Sequence, residues 1–113
     1  MATISPVTSV VDGVPRLTWS SMTTGDTITR FTVAEQWGLA GCVQFVFSSG
    51  TPTVSLEMSN DGVNWTTLKD LQGTTISTAT AGLFEFTCSA AYIRPAISTA
   101  GTATAIIVMR GLY

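Results

Sequence analysis

Between Val43 and Ser59, apolar and polar residues alternate with a period of two in two successive stretches, and no stretch of useful length carries the 3.6-residue apolar stripe of an amphipathic helix. Val43, Phe45 and Phe47 alternate with Gln44, Val46 and Ser48. After a break at Gly50-Thr51-Pro52, Val54, Leu56 and Met58 alternate with Thr53, Ser55, Glu57 and Ser59. A period of two sends successive side chains to opposite sides of a strand, so the second stretch reads as an antiparallel strand with one side on a core and the other in water. Asn60-Asp61-Gly62 follows at once. Asx side chains bond nearby backbone and Gly takes a positive φ, so the chain turns there into a return strand started by Trp65 and Leu68.

The rest of the chain extends the β pattern. Leu17-Thr18-Trp19 and Thr27 to Val33 are rich in β-branched and aromatic residues, with Thr24-Gly25-Asp26 between them. Ala34 to Gly41 lacks alternation and reads as a loop carrying Trp37 and Leu39. Leu71 to Gly82 reads as loop plus one short strand around Ile76. Phe84, Phe86 and Cys88 share one strand side against Glu85 and Thr87. Tyr92 to Ile97 is a strand in which Pro95, having no amide proton, marks an edge or a bulge. Thr102 to Arg110 closes the chain, and its run Ile106-Ile107-Val108-Met109 reads as covered on both sides. Thr and Ser number 20 and 11, so 31 of 113 residues favour strands and turns over helices. The expected fold is all-β: a jelly-roll-like antiparallel β-sandwich of seven or eight short strands. One domain is expected over 16–113, preceded by an extended arm or edge segment over 1–15, where Pro6, Pro15 and Asp12-Gly13 punctuate Val and Thr.

Composition removes several function classes. With 11% charged residues, a net charge of −2 and five Lys and Arg in total, the chain offers no basic surface for phosphates, and a nucleic-acid partner is not expected. Histidine is absent, which removes the commonest general base, the commonest metal ligand and the usual partner of a nucleophilic Ser or Cys. Cys42 and Cys88 lie far apart and outside any CxxC or Cys/His cluster, so no zinc site, cofactor or catalytic residue is expected; a disulfide between them stays open. The longest apolar run, Ala105 to Met109, falls far below the roughly 20 residues of a membrane-spanning helix. Residues 1–5 have neither the basic nor the long apolar stretch of a secretion signal, which points to a soluble cytoplasmic product.

Individual side chains carry competing readings. Asn60, Asp61 and Asn64 have the oxygens of a calcium site, but the simpler role is a structural turn of Asn60, Asp61 and Gly62 that satisfies its own backbone. Trp19 and Trp65 read as core rather than sugar-stacking rings. Glu57 and Glu85 read as solvated strand charges rather than the paired carboxylates of a glycosidase. Arg94 either holds a carboxylate on a partner or, more simply, pairs with one of these glutamates across strands. Trp37 with Leu39 in a glycine-bounded loop, Val7 and Val10 in the N-terminal segment, and Leu112 and Tyr113 at the terminus are the candidate interface residues, since aromatic and aliphatic anchors dominate interfaces.

The run Ser59-Asn60-Asp61-Gly62-Val63-Asn64-Trp65 resembles the "S-N-D-G-x-N-W" hairpin of discoidin (coagulation factor type C) modules, and Ala91-Tyr92-Ile93-Arg94 resembles their "R-Y-I-R" strand. A wider resemblance is to short β-sandwich virion proteins of tailed bacteriophages. It rests on Thr18-Trp19-Ser20-Ser21-Met22-Thr23-Thr24-Gly25-Asp26, the same hairpin, Lys69-Asp70-Leu71-Gln72-Gly73, Tyr92-Ile93-Arg94-Pro95 and Gly101-Thr102-Ala103-Thr104. That resemblance implies a non-enzymatic capsid decoration or cement protein, made in the host bacterial cytoplasm and bound to the exterior of the head. Its expected partners are the major capsid protein and further copies of itself, a trimer before a dimer. A virion carbohydrate-binding module for host attachment and a tail or baseplate component are the alternatives.

Overall fold

A computed structural model describes residues 2–33, 40–88 and 90–110, with the side chains of 109 and 110 excepted. Among the described residues the fold is an antiparallel β-sandwich without helices. Seven strands have five residues or more: β2 (Val7–Val11), β3 (Val14–Met22), β6 (Ala40–Gly50), β7 (Thr53–Ser59), β10 (Gly82–Thr87), β11 (Tyr92–Ser98) and β12 (Gly101–Arg110). Five two-residue strands complete it: β1 (Thr3–Ile4), β4 (Thr27–Ile28), β5 (Phe31–Thr32), β8 (Thr66–Thr67) and β9 (Ser77–Thr78).

One sheet runs β10-β6-β12-β3-β2; the other runs β5-β11-β7-β8, with β9 also on β7. The connections β6–β7 and β11–β12 each cross from one sheet to the other, so the chain wraps around the core as a jelly-roll-like sandwich does. The alternating side chains meet in the middle: Leu17, Trp19, Val43, Phe45, Phe86, Ala105 and Ile107 from the first sheet pack against Val54, Leu56 and Ile93 from the second, with Leu68 and Ile76 closing one side. Each large aliphatic or aromatic side chain so buried contributes about 1.5–3 kcal/mol. The buried indole donor of Trp19 is satisfied, as its Nε1–H donates to the Thr29 carbonyl at 2.8 Å.

Several expectations shift in detail. Of the expected arm, residues 3–4 and 7–11 are strands paired with the sandwich: β1 lies parallel to β4, and β2 is the edge strand beside β3, joined to it by the Asp12-Gly13 turn, so the boundary at residue 15 falls inside β3. Of the loop expected over Ala34 to Gly41, Ala40 and Gly41 belong to β6, opposite Thr87 and Phe86; 34–39 lie outside the described residues. Pro95 sits where β11 has become an edge, since β5 pairs only with Tyr92 and Ile93. The turn after β7 is six residues long, 60–65, and the return strand begins at Thr66. Trp65 therefore falls on the outward side with Thr67, which pairs with Glu57, and is half-buried rather than core; Leu68 takes the core position. Cys42 and Cys88 are free, and they point to opposite sides of the first sheet, which rules out a bridge between them.

Candidate functional site

Three surfaces carry the candidate residues. The first is the turn. Asp61 Oδ1 accepts from the Val63 and Asn64 amides at 2.8 Å and from Ser59 Oγ at 2.9 Å, while Asn64 Nδ2 donates to Oδ2 at 2.7 Å. These donors, the Asn64 and Val63 amides foremost, hold the Asp61 carboxyl well below the usual carboxylate range. Asn60 Oδ1 accepts from the Ala91 amide, which ties the turn to the start of β11. The Asn60 and Asp61 oxygens thus accept from the chain's own donors, as in a turn that satisfies its own backbone. Gly62 adopts φ +77° and lies directly under the Arg30 guanidinium.

The second surface is the outer side of the β5-β11-β7-β8 sheet. Glu57 and Arg94 stand opposite each other in register and pair at 3.1 Å, which is the cross-strand role expected of Arg94. The Arg94 guanidinium also lies 3.9 Å from the Trp65 ring centroid, and Arg30 lies 4.2 Å from that of Tyr92. Each cation covers one ring face. Glu85 projects from the opposite outer face of the sandwich, so it and Glu57 cannot flank one substrate.

The third surface is the outer side of the five-stranded sheet. Strand by strand from β10 to β2, one row across it is Leu83, Gln44, Ile106, Thr18 and Val7. The next row is Glu85, Cys42, Val108, Arg16 and Ser9. Its Val108–Arg16 step follows one residue beyond the Ile107–Leu17 pair in the same antiparallel register. A shallow depression of about 470 Å³ runs along these rows between Leu83 and Arg16. Leu83 is 64% exposed, Val7 62% and Val46 43%, whereas Ile106 and Val108 are half-buried. The apolar run of β12, expected to be covered on both sides, has the core on one side through Ile107 and, among the described residues, no second layer on the other. Cys42 lies in this row, and burial, followed by the nearby Glu85 charge, pushes its thiol upward from its ordinary value.

Of the candidate interface residues, Val7 and Val10 are exposed on β2 but point to opposite sides, Val7 with Thr18 and Val10 with Pro15. Trp37, Leu39, Leu112 and Tyr113 lie outside the described residues. Leu83 and Val46 are not singled out from the sequence, and Ile106 and Val108 are read there as part of a run covered on both sides rather than as interface residues. The signal was present in Leu83, which falls opposite Phe84 and Phe86 in the alternation, and in Val46, an apolar residue on the outward side of β6.

The Trp19-to-Asp26 segment has structural explanations. Trp19 and Met22 both reach the core although three residues apart, because Ser21 takes φ +53° and a register shift between Ala103 and Ala105 re-phases the alternation. Asp26 accepts from the Ala2 amide at 3.0 Å and from the Thr23 amide and hydroxyl at 2.9 Å, anchoring the N-terminal segment to the turn before β4. No protein-family model matches the chain, and no curated protein or solved structure is significantly similar to it.

Proposed function

We propose that the protein is a bacteriophage capsid decoration or cement protein, a non-enzymatic β-sandwich that binds the outer surface of the head and bridges neighbouring capsid subunits. The observation that carries this reading is the outer side of the five-stranded sheet. It is broad, its two central rows carry Leu83, Ile106, Val7, Cys42 and Val108, and only one cation and one anion stand among them. Such a face suits burial against a protein neighbour better than it suits solvent. The resemblance of the Trp19-to-Asp26 segment, the Asn60-to-Trp65 turn and the Tyr92-to-Pro95 strand to phage virion sandwiches supports the class of protein. The mechanism is area multiplied by copy number: individually modest contacts gain avidity when an oligomer engages several capsid subunits at once, and no catalytic group is needed.

The test is co-sedimentation of the purified protein with undecorated phage heads, with the melting temperature of the heads read in parallel. Saturable binding at a fixed ratio to the major capsid protein, with a raised melting temperature, is the expected result. Failure to bind heads overturns the reading. A second reading, a virion carbohydrate-binding module, is favoured by the half-exposed rings of Trp65 and Tyr92 on the other sheet. Retention on a glycan array that is lost in Trp65→Ala supports it over the first.

A further inference from the structure

The outer face of the five-stranded sheet has an internal asymmetry of charge. In the row Glu85, Cys42, Val108, Arg16, the anion stands on β10 and the cation on β3, with two uncharged residues between. Three strand spacings of ~4.8 Å separate them by about 14 Å, too far for one to neutralise the other within the chain. Among the described residues neither takes part in an ion pair. Next to them β12 presents Ile106 and Val108, half of an apolar run that has the sequence pattern of a strand buried on both sides.

We propose that this face is the interface of a two-fold homodimer in which Arg16 of each copy pairs with Glu85 of the other. A two-fold axis running along the strands, midway between β6 and β12, lays β10 of one copy over β3 of the second and β6 over β12. That single operation neutralises both charges at once and sets Cys42 and Gln44 on the Val108 and Ile106 of the facing sheet. A two-fold axis running across the strands through this row would instead put Arg16 over Arg16 and Glu85 over Glu85, so of the two in-plane axes only the one along the strands is self-complementary. The charges lie about 7 Å either side of the axis, so the roughly 30° turn usual between facing sheets displaces each by less than a side-chain length. Four strand spacings by the length of β6, eleven residues, give a face of about 700 Å² per copy, toward the small end of specific interfaces. The inference deepens the oligomer of the capsid reading and rests on it for self-association alone: the protein neighbour that covers this face is a second copy, and the head is met by the remaining surface of the dimer. Its test contains no capsid, so the two fail separately.

The experiment is sedimentation equilibrium of the purified full chain from micromolar to millimolar concentration. The wild type is expected at twice the chain mass. Arg16→Glu and Glu85→Arg, each of which sets like charges face to face, are each expected to weaken the dimer by about tenfold or more, and the double variant to restore it. Gln44→Asp, an exposed position whose change leaves folding intact, is expected to weaken it as well by placing an unpaired charge near the axis. A wild-type monomer throughout, a closed trimer, a dimer that neither single reversal weakens, or a double variant as weak as the single ones overturns the proposal.

Discussion

Replacing Gly62 by Ala isolates what the turn after β7 asks of its backbone. Gly62 sits at φ +77°, and a Cβ built there meets Arg30 Nη1 inside van der Waals contact, with Arg30 Cζ at 3.1 Å and Tyr92 Cε2 at 3.7 Å. Two costs follow. A non-glycine residue in the left-handed region loses about 1–2 kcal/mol. The new methyl also pushes the Arg30 guanidinium off the Tyr92 ring, where a surface cation–π contact contributes about 0.5–1 kcal/mol. The sum is about 2 kcal/mol, which for a domain near this size lowers the melting temperature by about 8 °C. Urea unfolding followed by tryptophan fluorescence reads the first figure and thermal circular dichroism the second. A loss under about 0.5 kcal/mol would refute the assignment of Gly62 to a strained position. The Arg30 share is checked separately: in an Arg30→Ala background the cost of Gly62→Ala is expected to drop by about 0.5–1 kcal/mol, and an unchanged cost means that the methyl never displaces the guanidinium.

Asp61 sets an acid dependence. Its carboxylate is held below the ordinary range in the folded state, so its stabilisation is complete above the unfolded pKa of about 3.9 and is lost as pH falls below that toward the folded value. Urea midpoints of the wild type are expected to fall more steeply below pH 4 than those of Asp61→Asn. Trp19→Phe removes the donor to the Thr29 carbonyl and leaves a void, an expected loss of about 2–4 kcal/mol by urea unfolding. Arg94→Ala loses both its stack on Trp65 and its partly exposed pair with Glu57, about 1–2 kcal/mol together. Most of that loss persists in high salt if the stack dominates. Because burial raises both thiols and Cys88 is fully enclosed, a thiol reagent at neutral pH is expected to label Cys42 slowly in the native protein and Cys88 only on unfolding.

The sandwich was legible because its signal is local. Val43 and Phe45, Val54 and Leu56, and Phe86 announce their sides through a period of two, and the structure buries each of them. What escaped has a non-local cause. Met22 reaches the core only because the bulge at Ser21, secured by the Ser21 amide donating to Thr104 Oγ1 at 3.0 Å, re-phases β3 against a strand more than eighty residues away. Trp65 leaves the core because the return strand pairs in the register Met58 with Thr66 and Glu57 with Thr67, which sets the odd-numbered residues of the return on the outward side, and that register is fixed by the whole turn rather than by Asn60-Asp61-Gly62 alone. The Arg94–Glu57 pair lay within reach of the sequence, since both residues sit on outward positions of strands that the alternation had already placed.

The outer face of the first sheet sits between these cases, and β12 shows why. Alternation assigns Ile107 to one side and Ile106 and Val108 to the other, and a strand apolar on both sides belongs between two layers. One layer is the second sheet of the same chain. Within a single sandwich no element of the described chain supplies the other, so the pattern that fixes β12 in the middle of its sheet also states a requirement that folding of one copy leaves unmet on that side. The placement of Arg16 and Glu85 at the two flanks of the same row narrows what can meet it. A surface carrying the opposite charges in the reverse order is required, and the simplest surface with that property is this one turned about a two-fold axis.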